Sequence, residues 1–248
     1  MNLIEQVRKE RPLIHHLTNQ VVMNFTANGL LSFGGSPIMA KEPSEIRNIV
    51  GIAKGVLINI GAMAEKDLKA MIIAGQTANE RGIPVVLDPV GVGASHFRKQ
   101  IIQILLEEIS FTAIKGNAGE MAHLVAIEWE TKGVDAIGNN SSKLAEIAQL
   151  VAEKYNTLAV VTGEIDMIYH NGKLKENSTG HEYLTRITGA GCLLGSIITA
   201  CLTAQAEKLD AAYKAVQFYG LAAEKAAQRS DVKGTGTFLP AFIDELGK

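Results

Sequence analysis

The chain has little with which to stack and little with which to cross-link. Of its 248 residues only 5% are aromatic and only two are cysteine. Aromatic stacking platforms are therefore not its working material. It also lacks an excess of one charge: 24 Lys and Arg face 26 Asp and Glu, for a net charge of −2 and a pI near 6.3. No broad basic field exists to gather phosphates, and nucleic acid is not an expected partner. No apolar run approaches the ~18 residues that would span a bilayer. The opening MNLIEQVRKERP carries charges where a signal peptide has its apolar stretch, so a cytoplasmic protein with no membrane partner is expected.

Glycine is abundant, at 24 residues. Hydrophobic residues make up 47% and charged residues 20%, a globular composition well away from that of disordered chains. The length suits one α/β domain over residues 1–248.

Cys192 and Cys201 lie in CLLGSIITACLTAQAEK, which reads as one helix. Nine residues along a helix separate their Cα atoms by roughly 13 Å, beyond disulfide reach. Neither has a Cys or His at zinc-ligand spacing.

Along the chain, short apolar runs alternate with stretches of helical period. A helical opening over 19–33 stops at Gly34-Gly35, and the short run 37–40 follows. Ser44 is the expected cap of a helix ending near Ala53, and Gly55–Ile60 reads as a buried strand. A helix over 65–81 halts at Gly82, before a strand over 83–87. Helix 97–109, strand 111–115 and helix 118–125 continue the pattern up to a polar stretch over 133–140. Ser141 or Ser142 is the expected cap of the next helix. The run 157–161 is β-rich, His170-Asn171-Gly172 is a hairpin turn between 167–169 and 173–175, and two long helices follow. Such alternation predicts a mostly parallel central sheet with helices on both faces and a late antiparallel pair at one edge. Ligands of such sheets collect beyond the carboxyl ends of the strands.

Three loops there carry the chemistry. Asp88-Pro89-Val90-Gly91-Val92-Gly93 follows the strand over 83–87. It is either a carboxylate beside a metal-bound phosphate or an Asp-Pro turn with flexible glycines. Lys115-Gly116-Asn117-Ala118-Gly119-Glu120 opens a helix. Asn117 and Glu120 have capping-box spacing, and Glu120 could alternatively hold a hydrated Mg²⁺, which is often fixed by one or two carboxylates plus phosphates. Thr188-Gly189-Ala190-Gly191-Cys192 precedes an apolar helix and is the strongest signal. Small residues at a helix N-terminus expose successive N–H groups to an anion, or else let the helix start pack tightly on the sheet. A dinucleotide site is discounted because Asp210 falls in a helical stretch, and no Gly-Lys-Ser/Thr ends a glycine loop. Cys192, in the first turn of its helix, is expected to have a lowered thiol pKa. His15, His16, His96, His123, His170 and His181 are expected at the surface or behind a site, and Cys201 in the core.

Together these loops resemble the ribokinase-like superfamily, and within it the hydroxyethylthiazole kinases of thiamine salvage. His16-Leu17-Thr18-Asn19, Gly34-Gly35-Ser36-Pro37-Ile38-Met39, Val160-Val161-Thr162-Gly163 and Gly234-Thr235-Gly236-Thr237-Phe238 agree in order over essentially the whole chain. Cysteine at 192, where most of the superfamily carries Asp, points to the thiazole branch. The resemblance implies a three-layer sandwich and ATP-dependent phosphorylation of the side-chain hydroxyl of 4-methyl-5-(2-hydroxyethyl)thiazole, with Mg²⁺. It implies that Met39, Asn19, Gly61 and Gly189 meet the thiazole, and that Lys115, Thr162, Ala190 and Gly191 meet ATP. Asp88 and Glu120 would organise the metal, and Cys192 would orient the hydroxyl and take its proton late. It further implies a homotrimer with active sites between subunits.

Overall fold

The computed structural model describes residues 2–129, 137–204 and 206–248, with 137–140 described by backbone alone. Among the described residues eight strands form one sheet: β1 (Leu13–Leu17), β2 (Ser36–Ile38), β3 (Gly55–Asn59), β4 (Val85–Asp88), β5 (Ala113–Asn117), β6 (Leu158–Thr162), β7 (Asp166–His170) and β8 (Lys173–Asn177). Their spatial order is β2-β1-β3-β4-β5-β6-β7-β8. Pairing is parallel from β2 through β6, and β7 and β8 add an antiparallel edge. The hairpin joining them turns at Asn171 and Gly172, both at positive φ, while His170, expected in the turn, closes β7 and pairs with Lys173.

Helices cover both faces because the central strands are apolar on both. Along β3, Val56 and Ile58 enter one core while Leu57 enters the other. β6 likewise sends Leu158 and Val160 one way and Ala159 and Val161 the other, the alternation a pleated strand imposes. One face carries α1 (Leu3–Glu10), α2 (Met23–Phe33), α8 (Ala190–Leu202), α9 (Lys208–Gln228) and α10 (Thr235–Leu246). The other carries α3 (Ile46–Ile52), α4 (Asp67–Glu80), α5 (His96–Glu108), α6 (Ala118–Leu124) and α7 (Ile137–Tyr155). The result is the expected three-layer α/β sandwich.

Several boundaries differ from those expected. α1 and β1 have no counterpart among the expected elements, and a third late helix, α10, follows the two expected ones. β1 reads LIHHL, and its two histidines disguise an apolar strand; both are fully buried, not at the surface. Ser44 does not cap α3, whose N-cap is Glu45 without a side-chain bond; the Ser44 hydroxyl donates to Glu42 instead. α7 is already helical at Ile137, so Ser141 and Ser142 lie inside it. The polar stretch expected before it falls outside the described residues up to 136. Gly34 and Gly82 sit at positive φ at the ends of their helices, as expected of stop residues.

Candidate active site

The carboxyl ends of β1, β3, β4 and β5 converge beneath the N-terminus of α8. Adjacent strands in register place Asn59, the last residue of β3, beside Asp88, the last of β4. Both side chains are fully buried. Asn59 Nδ2 donates to Asp88 Oδ2 at 2.7 Å and to Cys192 Sγ at 3.2 Å. Its Oδ1 accepts the Gly61 backbone N–H at 2.9 Å and the Asn19 Nδ2 at 3.4 Å. Asn19, Gly61, Asp88 and Cys192, widely separated in sequence, thus meet on one amide.

Lys115, on β5, reaches the same cluster from the other side. Its Nζ donates to Asp88 Oδ1 at 3.3 Å and to the Gly191 carbonyl at 3.1 Å. Burial works against this ammonium, yet the neighbouring Asp88, with Glu120 behind it, outweighs burial and raises its pKa. Burial is also the main influence on Asp88 and pushes its carboxyl upward, against Lys115. The cluster therefore holds a buried ion pair, Lys115 with Asp88, directly under the start of α8.

That start is shaped by glycine. Gly189, the N-cap, has φ +89°, and a Cβ there would lie 2.8 Å from Val22 Cγ1. Backbone conformation and packing against the segment leading into α2 both demand glycine. The first N–H groups of any helix have no intrahelical acceptor, and here they follow Gly189. Tyr219 Oη donates to the Ala190 carbonyl at 2.7 Å and fixes the turn from below.

Cys192 lies in this turn, but its thiol does not behave as its position suggests. Burial first, and then the Asp88 charge, push it up to about 11. Lys115 and the Asn59 N–H pull the other way without winning. The expected lowering is therefore overturned: a helix N-terminus offers a fraction of a charge, whereas desolvation removes the water a thiolate needs. Cys201, on the same helix and fully buried, rises to about 12 from burial alone.

Glu120 closes the capping box. Its Oε2 accepts from the Asn117 N–H at 2.9 Å while Asn117 Oδ1 accepts from the Glu120 N–H. Its Oε1 accepts the Gly91 N–H at 2.8 Å, so one carboxylate ties the loop after β4 to the start of α6. Arg98 Nη1 holds that loop from beneath, donating to the Val90 and Ile60 carbonyls.

A cavity of about 750 Å³ opens beside α8. Thr162, Ala190 and Gly191 line it, together with Asn117, Asp166 and Tyr219. Thr162 Oγ1 donates to the Gly116 carbonyl. Met39 is not drawn into the cluster: it follows edge strand β2, half-buried, with β1 and β3 between it and the strand of Asp88. Among the described residues no three His, Cys, Asp or Glu side chains form a metal cage.

Residues 4–248 match the hydroxyethylthiazole kinase family model. The chain belongs to the hydroxyethylthiazole kinase family. It is 59% identical over its whole length to hydroxyethylthiazole kinase 1 of Oceanobacillus iheyensis, covering 96% of that protein. A hydroxyethylthiazole kinase structure from Pyrococcus horikoshii superposes with TM-score 0.89 at 34% identity, over 99% of this chain and 91% of that one. A ribokinase-like superfamily protein from Enterococcus faecalis, 13% identical, shares the fold at TM-score 0.66 over 96% of this chain and 88% of that one. As a member of this family the chain is a kinase with a ribokinase-like fold.

Asn59 and Arg98 escaped the sequence, and His16, singled out there within the motif 16–19, has a partner that the sequence did not show. Asn59 was hidden inside the apolar run GVLINI; a polar residue near the end of such a run, next to a strand followed by Asp88, was the available signal. His16 accepts the Ser196 hydroxyl at 2.6 Å through Nε2, while Nδ1 faces the Ile14 carbonyl and so carries the proton. Burial lowers this imidazole to about 4. Arg98 gave no signal.

Proposed function

We infer that the chain phosphorylates the side-chain hydroxyl of 4-methyl-5-(2-hydroxyethyl)thiazole with ATP, the step that returns this thiazole to thiamine synthesis. Family membership over residues 4–248 carries the reading. The convergence of Asp88, Lys115, Cys192 and the start of α8 supports placing the reaction there. Residues 1–248 act as one kinase domain in this reading.

ATP occupies the cavity beside Thr162, Ala190 and Gly191, with its terminal phosphate toward the N–H groups that follow Gly189. Those amides and the Lys115 ammonium beneath them stabilise charge on the transferring group, since preorganised donors in a dry site act more strongly than in water. Local donors rather than net charge do this work, so a balance of −2 suits an ATP enzyme.

The thiazole sits across α8, against Asn19, Gly61 and Gly189, with Met39 at its outer edge and its hydroxyl at Cys192. A thiol held near 11 is protonated at neutral pH, so it orients the hydroxyl and does not act as a base. Phosphoryl transfer through a loose transition state needs positioning more than prior deprotonation. The hydroxyl proton leaves with or after transfer, to a phosphoryl oxygen or to water.

Asp88 and Glu120 are hard oxygen donors, and two carboxylates without a cage suit Mg²⁺, which keeps most of its waters and takes substrate phosphates. Their oxygens already accept hydrogen bonds, so they would hold the ion through its waters. When bound, the ion neutralises triphosphate charge.

A homotrimer with sites between subunits is part of the same proposal. Val21, beside Asn19, and Leu31, on α2, are exposed apolar side chains that a neighbouring subunit could cover. Light scattering gives the assembly state directly.

The test compares kcat/KM for hydroxyethylthiazole, a hydroxymethylpyrimidine and a sugar, each with ATP and Mg²⁺. The thiazole alcohol is expected to be preferred by at least tenfold. A preferred pyrimidine or sugar would reassign the substrate. ATP binding with no phosphorylated product would instead make the chain a regulatory subunit, and a product without a phosphoryl group would indicate lyase or hydratase chemistry.

A further inference from the structure

The side chain of Asn59 is an amide whose orientation is fixed by a group that can only donate. The Gly61 backbone N–H lies 2.9 Å from one amide terminus, which must therefore be the oxygen. The other terminus is the NH₂ group, and its two hydrogens point at Asp88 Oδ2 and Cys192 Sγ. Each hydrogen has one acceptor and neither is left for another partner. Asn59 is fully buried, so no water competes for them.

We propose that Asn59 is a positioning residue for phosphoryl transfer: its single NH₂ group sets the Cys192 sulfur relative to the Asp88 carboxylate. The inference rests on the role given to Cys192 above. With the sulfur engaged as an acceptor of the Asn59 N–H, rotation of the thiol about Cα–Cβ is restrained, and its S–H is directed away from Asn59. Without that bond the sulfur is free to turn in the small space beneath α8, and Asp88 loses the donor opposite Lys115. Gly61, which shares Asn59 through Oδ1, would be displaced with it. The thiazole side and the phosphate side would then lose their common reference point.

Two contacts make this more than packing. Asn59 and Asp88 are register partners on adjacent parallel strands, so their separation is set by the sheet and not by a mobile loop. Cys192 is held from the opposite direction by α8, whose next turn is bonded to β1 through Ser196 and His16. The amide bridges two rigid elements, and a small misplacement between them is of the kind that lowers rate without abolishing binding.

A double-mutant cycle tests the proposal. N59A, C192A and the double variant are assayed with hydroxyethylthiazole and ATP-Mg²⁺, with N59S run in parallel because it is closer in size and keeps one donor. Ester formation by the wild type and impairment of C192A first establish the underlying reading. The proposal then expects N59A to lower kcat by about 100-fold with both KM values within about threefold, and N59S to fall between N59A and the wild type. In the C192A background the N59A substitution should cost at least tenfold less than in the wild type, since residues acting as a unit are not additive. A cost of the same size in both backgrounds would overturn the coupling while leaving Cys192 its role. A raised KM with unchanged kcat would make Asn59 a binding residue and would also overturn it. Full kcat in C192A, or no turnover by the wild type, would bring down the underlying reading and the coupling together. If N59A does not fold, the same cycle with N59S decides by the same criteria.

Discussion

Lys115 Nζ lies 3.3 Å from Asp88 Oδ1, with the two side chains 4% and 1% exposed. The partners stand at the carboxyl ends of neighbouring parallel strands, where the sheet delivers them together. A buried pair of this kind is weak evidence of stability in itself, but removing one partner strands the other charge.

Lys115→Met is therefore expected to destabilise the fold by about 3–5 kcal/mol and to weaken ATP binding. Urea unfolding and nucleotide titration measure the two effects. A variant with wild-type stability and nucleotide affinity would show that the ammonium supports neither Asp88 nor the phosphate.

His16 makes the fold sensitive to mild acid. The unfolded chain takes up its proton near 6.5, while the buried imidazole resists protonation down to about 4. Between these values the unfolded state binds more protons, so stability falls as pH drops through this window. Lowering the pH from 7.5 to 5 is expected to cost about 2 kcal/mol through this residue. His16→Gln should flatten the pH dependence of the unfolding free energy by that amount; an unchanged slope would mean that His16 is not held neutral.

Glu120→Gln separates two uses of one carboxylate. Both oxygens accept backbone N–H groups, so an NH₂ in place of either leaves one donor facing another and costs about 1–3 kcal/mol. The fold should survive that loss, and the Mg²⁺ dependence of turnover should weaken. Reduced stability with an unchanged Mg²⁺ titration would leave Glu120 only its capping role.

Cys192→Ala is expected to lower kcat roughly 100-fold by loosening the acceptor hydroxyl. Because the wild-type thiol stays protonated well above neutrality, the kcat profile of Cys192→Ser from pH 6 to 9 should keep the wild-type shape. Loss of an ionisation in that range would show that a thiolate takes part.

Much of this arrangement was legible in the sequence. Asp88, Asn117, Glu120 and the Gly189–Cys192 run were recognisable because short apolar strands ending in polar or glycine residues mark a sheet's carboxyl edge. β1 was not legible: His15 and His16 break its apolar run, and only tertiary packing reveals that both are buried. Asn59 was hidden for the opposite reason, being a single polar residue inside an apolar run. The Cys192 thiol departs from its expected lowering because helix position can be read from sequence and desolvation cannot. Register between β3 and β4 supplied what local pattern could not, by bringing Asn59 to Asp88.

The most direct measurement of the central claim follows the phosphoryl group itself. The protein is incubated with hydroxyethylthiazole, Mg²⁺ and ATP carrying ¹⁸O on the γ-phosphate, and the products are read by mass spectrometry. The account predicts a thiazole phosphate ester carrying the label, formed one for one with ADP. Labelled inorganic phosphate without ester, or an unchanged thiazole beside bound ATP, would contradict it.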